Sequence, residues 1–254
     1  MTSRTRAPDR GDTDARDTDA GPVLLVGGLA TPVGLLRPMA HALEQRGHTV
    51  TPVAIGAGVG CAQRTVDTLV ERIHAAADDA AEPVALVGHS RGGQFARVAA
   101  HAAPDRVAGL VTLGTPLGMT GVALPTYAAV AAMAAAGTVG VPGFLRLSCL
   151  LGACCRAFRA DLRRDWPPDL PLTSVYSRAD RVVPAAASID SRARNVEVGG
   201  GHLGMLTDER VLDQVAVALR RDHRGDSRGP TRRRPARRRP ARRDPSTADL
   251  RAAG

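Results

Sequence analysis

The segment 84–93, VALVGHSRGG, constrains the possible folds of this 254-residue chain more than any other stretch. An apolar run is followed by glycines and one serine, and a helix-compatible sequence begins at Gln94. Gly88 and Gly92 have no Cβ, so a helix can pass close to the strand while Ser90 takes a strained backbone conformation. The pattern is typical of a nucleophile elbow, a strand-to-helix turn that holds a serine hydroxyl clear of the sheet.

Short apolar strands alternate with helical patterns on both sides of this segment. Such an alternation predicts an α/β fold of three layers, in which a mostly parallel sheet of about six strands has helices on both faces. The predicted strands cover residues 23–26, 48–53, 84–87, 107–113, 172–177 and 195–198. The main predicted helices cover residues 65–81, 94–103 and 207–221, and leucines at helical spacing after residue 34 predict another. Ligands bind at the carboxyl ends of parallel strands, and Ser90 lies at one such end.

The composition divides the chain into three parts. Residues 1–21 are polar and lack apolar periodicity, so we expect them to be disordered, whereas residues 22–222 are expected to form one domain. Within that domain the alternation is interrupted at residues 117–170, where we expect a helical cap insertion. The insertion is interpreted either as a mobile apolar cap over a pocket or as ordinary packing helices. Proline, arginine and glycine interrupt its apolar stretches, so no transmembrane segment is predicted.

The formal charge of +9 is concentrated at the C-terminus. From Arg220 onward, 13 arginines and 4 aspartates account for the whole excess, so the remainder of the chain is not basic. Residues 223–254 contain RRRPARRRPARR, in which proline and like-charge repulsion favour a disordered, extended arm. Residues 224–243 could contact nucleic acid or an anionic membrane weakly. The absence of lysine from the chain also fits a passive arginine-rich tail.

The cysteines predict neither a metal centre nor a disulfide framework. They lie at positions 61, 149, 154 and 155, without a CxxC or histidine-containing ligand spacing, and are interpreted as small buried residues. No metal site is expected from these positions. The N-terminal segment lacks the apolar core of a secretory signal, so the sequence predicts a cytoplasmic protein.

Two residues after the elbow complete the chemistry that a serine nucleophile needs. The hydroxyl requires a base, and the base requires a partner that orients it. Asp180 follows the strand 172–177 and His202 follows the strand 195–198, which gives the chain order Ser, Asp, His. The rival aspartates, at positions 161, 165, 169 and 190, do not follow a strand at this point. His89 is interpreted as a structural residue packed beside Ser90.

Acyl transfer also requires hydrogen-bond donors for a tetrahedral oxyanion. The residue after the nucleophile supplies one backbone N–H, here that of Arg91. The loop after the first strand supplies the second, which we place at Leu29. The dipole of the helix after Ser90 favours negative charge at the same position.

The motifs VLLVGGL, GHSRGG, LGTP, RADRVVP and GGGHLGM resemble those of the α/β-hydrolases, nearest to the compact bacterial lipase and esterase branch, over about residues 22–219. The resemblance implies a reduced sheet, no cofactor, and hydrolysis of a carboxylic ester through an acyl-enzyme. Family members usually carry His-Gly where this chain has Gly27-Gly28, a difference that leaves a backbone donor at Leu29 in place.

The expected function is therefore that of a serine esterase or lipase for an ester with an apolar acyl group, with Ser90, His202 and Asp180 as the catalytic triad. An acyltransferase or a thioesterase would use the same three residues. A non-catalytic scaffold that binds an anionic partner through the arginine-rich tail is the alternative from another class of protein.

Overall fold

Six parallel strands form one sheet in the part of the chain that the computed structural model describes. The described residues are 20–29, 31–53, 55, 60–117, 124–142, 144, 146–148 and 156–226, with side chains as far as residue 220 except at Thr126. The strands are β1 (Pro22–Val26), β2 (Thr49–Val53), β3 (Val84–His89), β4 (Val107–Leu113), β5 (Leu172–Ser177) and β6 (Arg194–Val198). Their order is β2-β1-β3-β4-β5-β6, with every neighbouring pair parallel. The predicted α/β fold is confirmed.

Helices connect and cover these strands. Those with described bounds are α1 (Val33–Glu44), α2 (Ala62–Ala80), α3 (Arg91–Ala102), α4 (Leu124–Thr138), α5 (Arg156–Leu162), α6 (Ala185–Ser188) and α7 (Glu209–Asp226). Short 3-10 turns lie at Pro104–Arg106 and Gly204–Leu206. None of the helices in the described ranges is long and apolar enough to cross a bilayer.

Alternate residues of the central strands face two separate apolar cores. Leu24 and Leu86 pack on one face with α2, α3 and α5, whereas Leu25 and Val87 pack on the other face with α1 and α7. Every residue of β1, β3 and β4 is buried, which explains why these strands are almost entirely apolar rather than alternating, with His89 and Thr112 as the polar exceptions. The carboxyl end of β3, where Ser90 follows, therefore lies at the centre of the sheet.

Several boundaries differ from the predicted ones. α3 begins at Arg91 rather than at residue 94, because Gly92 and Gly93 fit within its first turn despite their low helix propensity. α7 continues to Asp226 instead of ending at residue 221, since no proline interrupts it. Residues 223–226, predicted to belong to the disordered tail, are therefore helical, and the predicted extended arm at 232–243 lies outside the described residues.

The predicted terminal segments and cap are described only in part. Residues 1–19 and 227–254 lie outside the described residues, whereas Gly21, predicted to be disordered, is buried. In the predicted cap, 117–170, α4 and α5 are described, and residues 118–123, 143, 145 and 149–155 are not.

Candidate active site

Ser90 lies in the turn between β3 and α3 with a backbone conformation that is rare for residues other than glycine. Its φ is 55° and its ψ is −127°. The Ser90 N–H donates to the carbonyl of Leu113 at 2.8 Å, and the Ser90 carbonyl accepts from the N–H of Gly93 at 3.1 Å. The end of β4 and the first turn of α3 thus hold the strained turn in place.

The glycines on either side of Ser90 allow three backbone segments to meet. A Cβ on Gly88 would lie 2.7 Å from the backbone nitrogen of Gly93, and a Cβ on Gly92 would overlap the carbonyl groups of Val26 and Gly27. At both positions the neighbouring backbone is too close to admit any side chain. The predicted elbow glycines therefore lie where α3 passes directly against β3 and the end of β1.

The loop after β1 lies against the serine. A Cβ on Gly28 would be 2.7 Å from the Cβ of Ser90 and 3.3 Å from its Oγ. Leu29 comes next in this loop, and its N–H donates no hydrogen bond to another described residue. Arg91 is the first residue of α3, where backbone N–H groups point out of the helix N-terminus. Of the two predicted oxyanion residues, Arg91 thus directly follows Ser90, and Leu29 directly follows Gly28, which lies against Ser90.

Asp180 and His202 form a close hydrogen-bonded pair. His202 Nδ1 donates to Asp180 Oδ2 at 2.6 Å. The other carboxylate oxygen, Oδ1, accepts from the N–H groups of Val182 at 2.8 Å and Val183 at 2.9 Å. Burial opposes ionisation of Asp180, whose side chain is 1% exposed, but the bonds from His202 and the two amides prevail and lower its pKa. The ionised carboxylate can therefore orient the imidazole ring.

Gly114 brings this pair to the elbow. It follows Leu113, whose carbonyl binds the Ser90 N–H, and a Cβ on Gly114 would lie 2.9 Å from Asp180 Oδ2 and 3.2 Å from His202 Nδ1. The three predicted triad residues therefore lie around the Leu113–Gly114 segment, at the carboxyl ends of β3, β5 and β6. The described residues include no hydrogen bond between Ser90 Oγ and the His202 ring, a bond that often tightens only when substrate binds.

His89, which the sequence suggested was structural, contacts the loop that carries His202. It is 1% exposed, and its Nε2–H donates to the carbonyl of His202 at 3.0 Å. Burial and the nearby His202 lower the pKa of His89 to about 4, so its ring is neutral near pH 7. Its Nδ1 is buried without a hydrogen-bond partner among the described residues.

Two further residues at the site received no role from the sequence. Ser177, the last residue of β5, donates from Oγ to the carbonyl of Gly200 at 2.7 Å. Gly114 belongs to the LGTP motif, but only its packing against Asp180 and His202 indicates why glycine is needed there. Within the described ranges, histidine, cysteine and carboxylate side chains form no group of three or more that could hold a metal ion.

The chain is similar to known proteins in sequence and in structure. The family model for the alpha/beta hydrolase fold matches residues 21–152. A search of curated proteins found no match. The mature form of a Bacillus licheniformis lipase is similar in structure, with a TM-score of 0.62 at 17% identity, covering 82% of this chain and 96% of that one.

Two other solved structures show the same likeness. A metagenome-derived lipolytic enzyme gives a TM-score of 0.58 at 18% identity, covering 79% of this chain and 94% of that one. A monoacylglycerol lipase from Paleococcus ferrophilus gives 0.55 at 15% identity, with the same two coverages, 79% and 94%. At these identities the likeness shows a shared fold. The family match covers just over half of the chain and includes the elbow. The chain belongs to the α/β-hydrolase family.

Proposed function

We propose that this protein is a carboxylic ester hydrolase with Ser90, His202 and Asp180 as its catalytic triad. The observation that carries the proposal is the 2.6 Å hydrogen bond between His202 and buried Asp180, at the same end of the sheet as the strained Ser90. Because Nδ1 of His202 donates its hydrogen bond to Asp180, Nε2 of His202 is left to accept the serine proton. Lipases and esterases among the similar structures agree with this chemistry.

In the acylation step, Ser90 Oγ attacks the ester carbonyl carbon while His202 Nε2 takes the hydroxyl proton. The carbonyl electron pair moves onto oxygen, and the backbone N–H groups of Leu29 and Arg91 stabilise the resulting oxyanion. When the tetrahedral intermediate collapses, the bond to the alkoxy oxygen breaks, and His202 gives its proton to that oxygen. The alcohol leaves and the acyl group stays on Ser90.

In the deacylation step, a water molecule replaces the alcohol. His202 takes a proton from the water while the water oxygen attacks the acyl carbon. It then returns that proton to Ser90 Oγ as the carboxylic acid is released. Asp180 remains ionised throughout, since its pKa is lowered, and it stabilises the transient imidazolium. The neutral ring of His89 adds no opposing positive charge beside it.

The composition of the first half of the predicted cap, residues 117–145, supports a substrate with an apolar acyl group. Residues 117–145 contain no charged side chain. In α4, Leu124 is 81% exposed and Tyr127 is 44% exposed. An apolar chain would gain free energy by covering such surface, whereas a charged one would lose hydration without finding a partner.

Hydrolysis of p-nitrophenyl esters of graded acyl length tests the proposal. The wild type should turn over these esters, and Ser90→Ala and His202→Ala should each lower kcat by about 10⁴-fold or more. Asp180→Asn should lower kcat by about 10³- to 10⁴-fold, because the ring then loses its orienting carboxylate. The matched control is Ser191→Ala, which changes an exposed serine and should retain wild-type kcat.

A fluorophosphonate probe gives an independent reading of serine reactivity. Labelling of the wild type and of Ser191→Ala, but not of Ser90→Ala, is expected. The proposal is wrong if the wild type hydrolyses no ester faster than Ser90→Ala and neither protein is labelled. Preferential transfer of the acyl group to an added alcohol would instead identify an acyltransferase that uses the same triad.

A further inference from the structure

The proposed base lies on a loop with little stiffness of its own. Gly199, Gly200 and Gly201 directly precede His202, and Gly200 has φ +86°. Glycine has the greatest backbone freedom of any residue. A catalytic group must nevertheless stay within about 0.5 Å of its productive position. The orientation of His202 therefore depends on contacts that the rest of the protein makes to this loop.

Two side chains hold backbone carbonyl groups of the loop. Ser177 Oγ donates to the carbonyl of Gly200 at 2.7 Å and accepts from the N–H of Ala179 at 3.1 Å. His89 Nε2 donates to the carbonyl of His202 itself at 3.0 Å. These two bonds act on either side of Gly201 and so restrict rotation of the backbone immediately before the base.

His89 has a position that Ser177 lacks, because it directly precedes Ser90. Its hydrogen bond joins the strand that carries the nucleophile to the residue that serves as base, across 113 positions of the chain. The His89 and His202 rings lie 4.7 Å apart between centroids and are tilted by 45°. A displacement of the elbow would therefore be transmitted to His202 through one short connection.

We infer that His89 is a positioning residue. It holds the backbone carbonyl of His202 and so keeps the imidazole of the base in its position relative to Ser90. The inference rests on the proposed function, since it defines His89 by its effect on the triad. His89 exchanges no proton in this role. Its burial and its contact with a carbonyl acceptor keep the proton on Nε2, where it donates.

The ionisation of the ring and its unused nitrogen agree with this role. Burial lowers the pKa of His89 to about 4, and a neutral ring avoids a second positive charge 4.7 Å from the His202 imidazolium. Nδ1 of His89 is buried without a partner among the described residues, which costs free energy that an apolar side chain would not incur. The benefit of histidine at this position therefore lies in the Nε2 donor.

Two substitutions whose side chains are similar in length to histidine distinguish the loss of the Nε2 hydrogen-bond donor from the loss of side-chain volume. His89→Gln places an amide N–H near the position of Nε2, whereas His89→Met fills the space without a donor. We expect His89→Met to lower kcat by about 10- to 100-fold with KM within about twofold, because misplacement affects the transition state more than substrate binding. His89→Gln should stay within about threefold of the wild type in both constants. Thermal unfolding of each variant reports whether it folds.

A ¹H NMR measurement reports on the position of His202 and requires no substrate turnover. The proton on His202 Nδ1, shared in the short bond to Asp180, should give a strongly deshielded ¹H NMR resonance in the wild type and in His89→Gln. In His89→Met we expect this resonance to broaden through exchange with solvent. Should His89→Met not fold, His89→Asn replaces it, since its amide is too short to reach the His202 carbonyl.

The outcomes separate the inference from the proposed function. An unchanged resonance together with an unchanged kcat in the variant without a donor at this position would overturn the role of His89. A wild type that neither hydrolyses esters nor reacts with fluorophosphonate would overturn the proposed function. In that case the resonance alone still decides whether His89 holds His202 in place.

Discussion

Gly114 lies against the Asp180–His202 pair with a left-handed backbone, φ +51°. Gly114→Ala would place a Cβ 2.9 Å from Asp180 Oδ2 and 3.2 Å from His202 Nδ1. We expect a loss of kcat of about tenfold or more, because the base would be displaced. We also expect destabilisation by about 1–2 kcal/mol from the backbone conformation. Ester kinetics and urea unfolding measure the two effects.

A matched glycine provides the control for this substitution. A Cβ on Gly34, within α1, would meet no atom within 4 Å. Gly34→Ala should leave kcat unchanged and stabilise the protein by up to about 1 kcal/mol through higher helix propensity. Equal losses of kcat in both variants would contradict the assigned role of Gly114.

Protonation of His89 should make the folded protein sensitive to mild acid. Burial lowers its pKa from 6.5 to about 4 in the folded state, so between these values the unfolded chain binds more protons than the folded one. The free energy of unfolding should therefore fall as pH decreases from about 6.5 to about 4, by at most about 3 kcal/mol, and be fully restored above that range. Asp180, whose pKa is lowered from 3.8, acts in the same direction at still lower pH.

Urea unfolding of the wild type and His89→Gln, each at about pH 7.5 and about pH 5, measures this contribution. The wild type should lose more stability on acidification than the variant. His101, whose pKa is also lowered by burial, is present in both proteins, so its contribution cancels in the comparison. An identical pH dependence of the two proteins would rule out His89 as the titrating group.

Among the elements, α3 is tied to its surroundings by a buried arginine. Arg97 is 5% exposed and donates to Asp190 at 3.0 Å and to the carbonyl of Arg164 at 3.2 Å. Its guanidinium also lies over the Trp166 ring, 5.2 Å from the centroid. These contacts connect the helix that follows Ser90 to the segment after α5 and to the loop between α6 and β6.

Loss of the Asp190 carboxylate should therefore destabilise the whole domain. Asp190→Asn removes the only carboxylate charge hydrogen-bonded to the buried guanidinium among the described residues, and we expect a loss of about 3 kcal/mol in the free energy of unfolding. The control is Asp213→Asn at the surface, where Asp213 pairs with Arg46 at 2.6 Å but is 64% exposed in its side chain. That variant should lose less than about 1 kcal/mol. Similar losses in both would indicate that burial of Arg97 is unimportant.

At the scale of the whole molecule, the positive charge and the proposed chemistry occupy different parts of the chain. Residues 227–254 contain ten arginines and two aspartates, and they begin after the last residue of α7. Removal of residues 227–254 should leave ester hydrolysis within about twofold of the wild type, because no proposed site residue is lost.

The same truncation should abolish binding to anionic vesicles and to DNA, because it removes ten arginines that can neutralise phosphate groups. Co-sedimentation at about 50 mM and about 300 mM salt measures it, since binding through phosphate neutralisation weakens steeply with salt. Neutral vesicles serve as the control surface. Equal binding before and after truncation would contradict the prediction and support a passive tail.

The fold was largely predictable because its signals are local. Continuous apolar runs mark β3 and β4 as strands buried on both faces, and the glycines of the elbow mark a close crossing. The bounds of α3 and α7 were less predictable, because the first turn of α3 contains two glycines that tertiary packing accommodates. The roles of Ser90, Asp180, His202, Leu29 and Arg91 stay predictions until the variants are measured.

The sequence by itself determined the succession of the main strands and helices along the chain, the strained turn at Ser90, and the chain order of serine, aspartate and histidine. Each of these follows from residue type and spacing within a short segment. Only the tertiary structure decided that His89 binds the carbonyl of His202 and that Gly114 makes room for the Asp180–His202 pair. Such contacts join residues far apart in the chain, and they depend on how the strand ends align in the folded sheet, which no local pattern specifies.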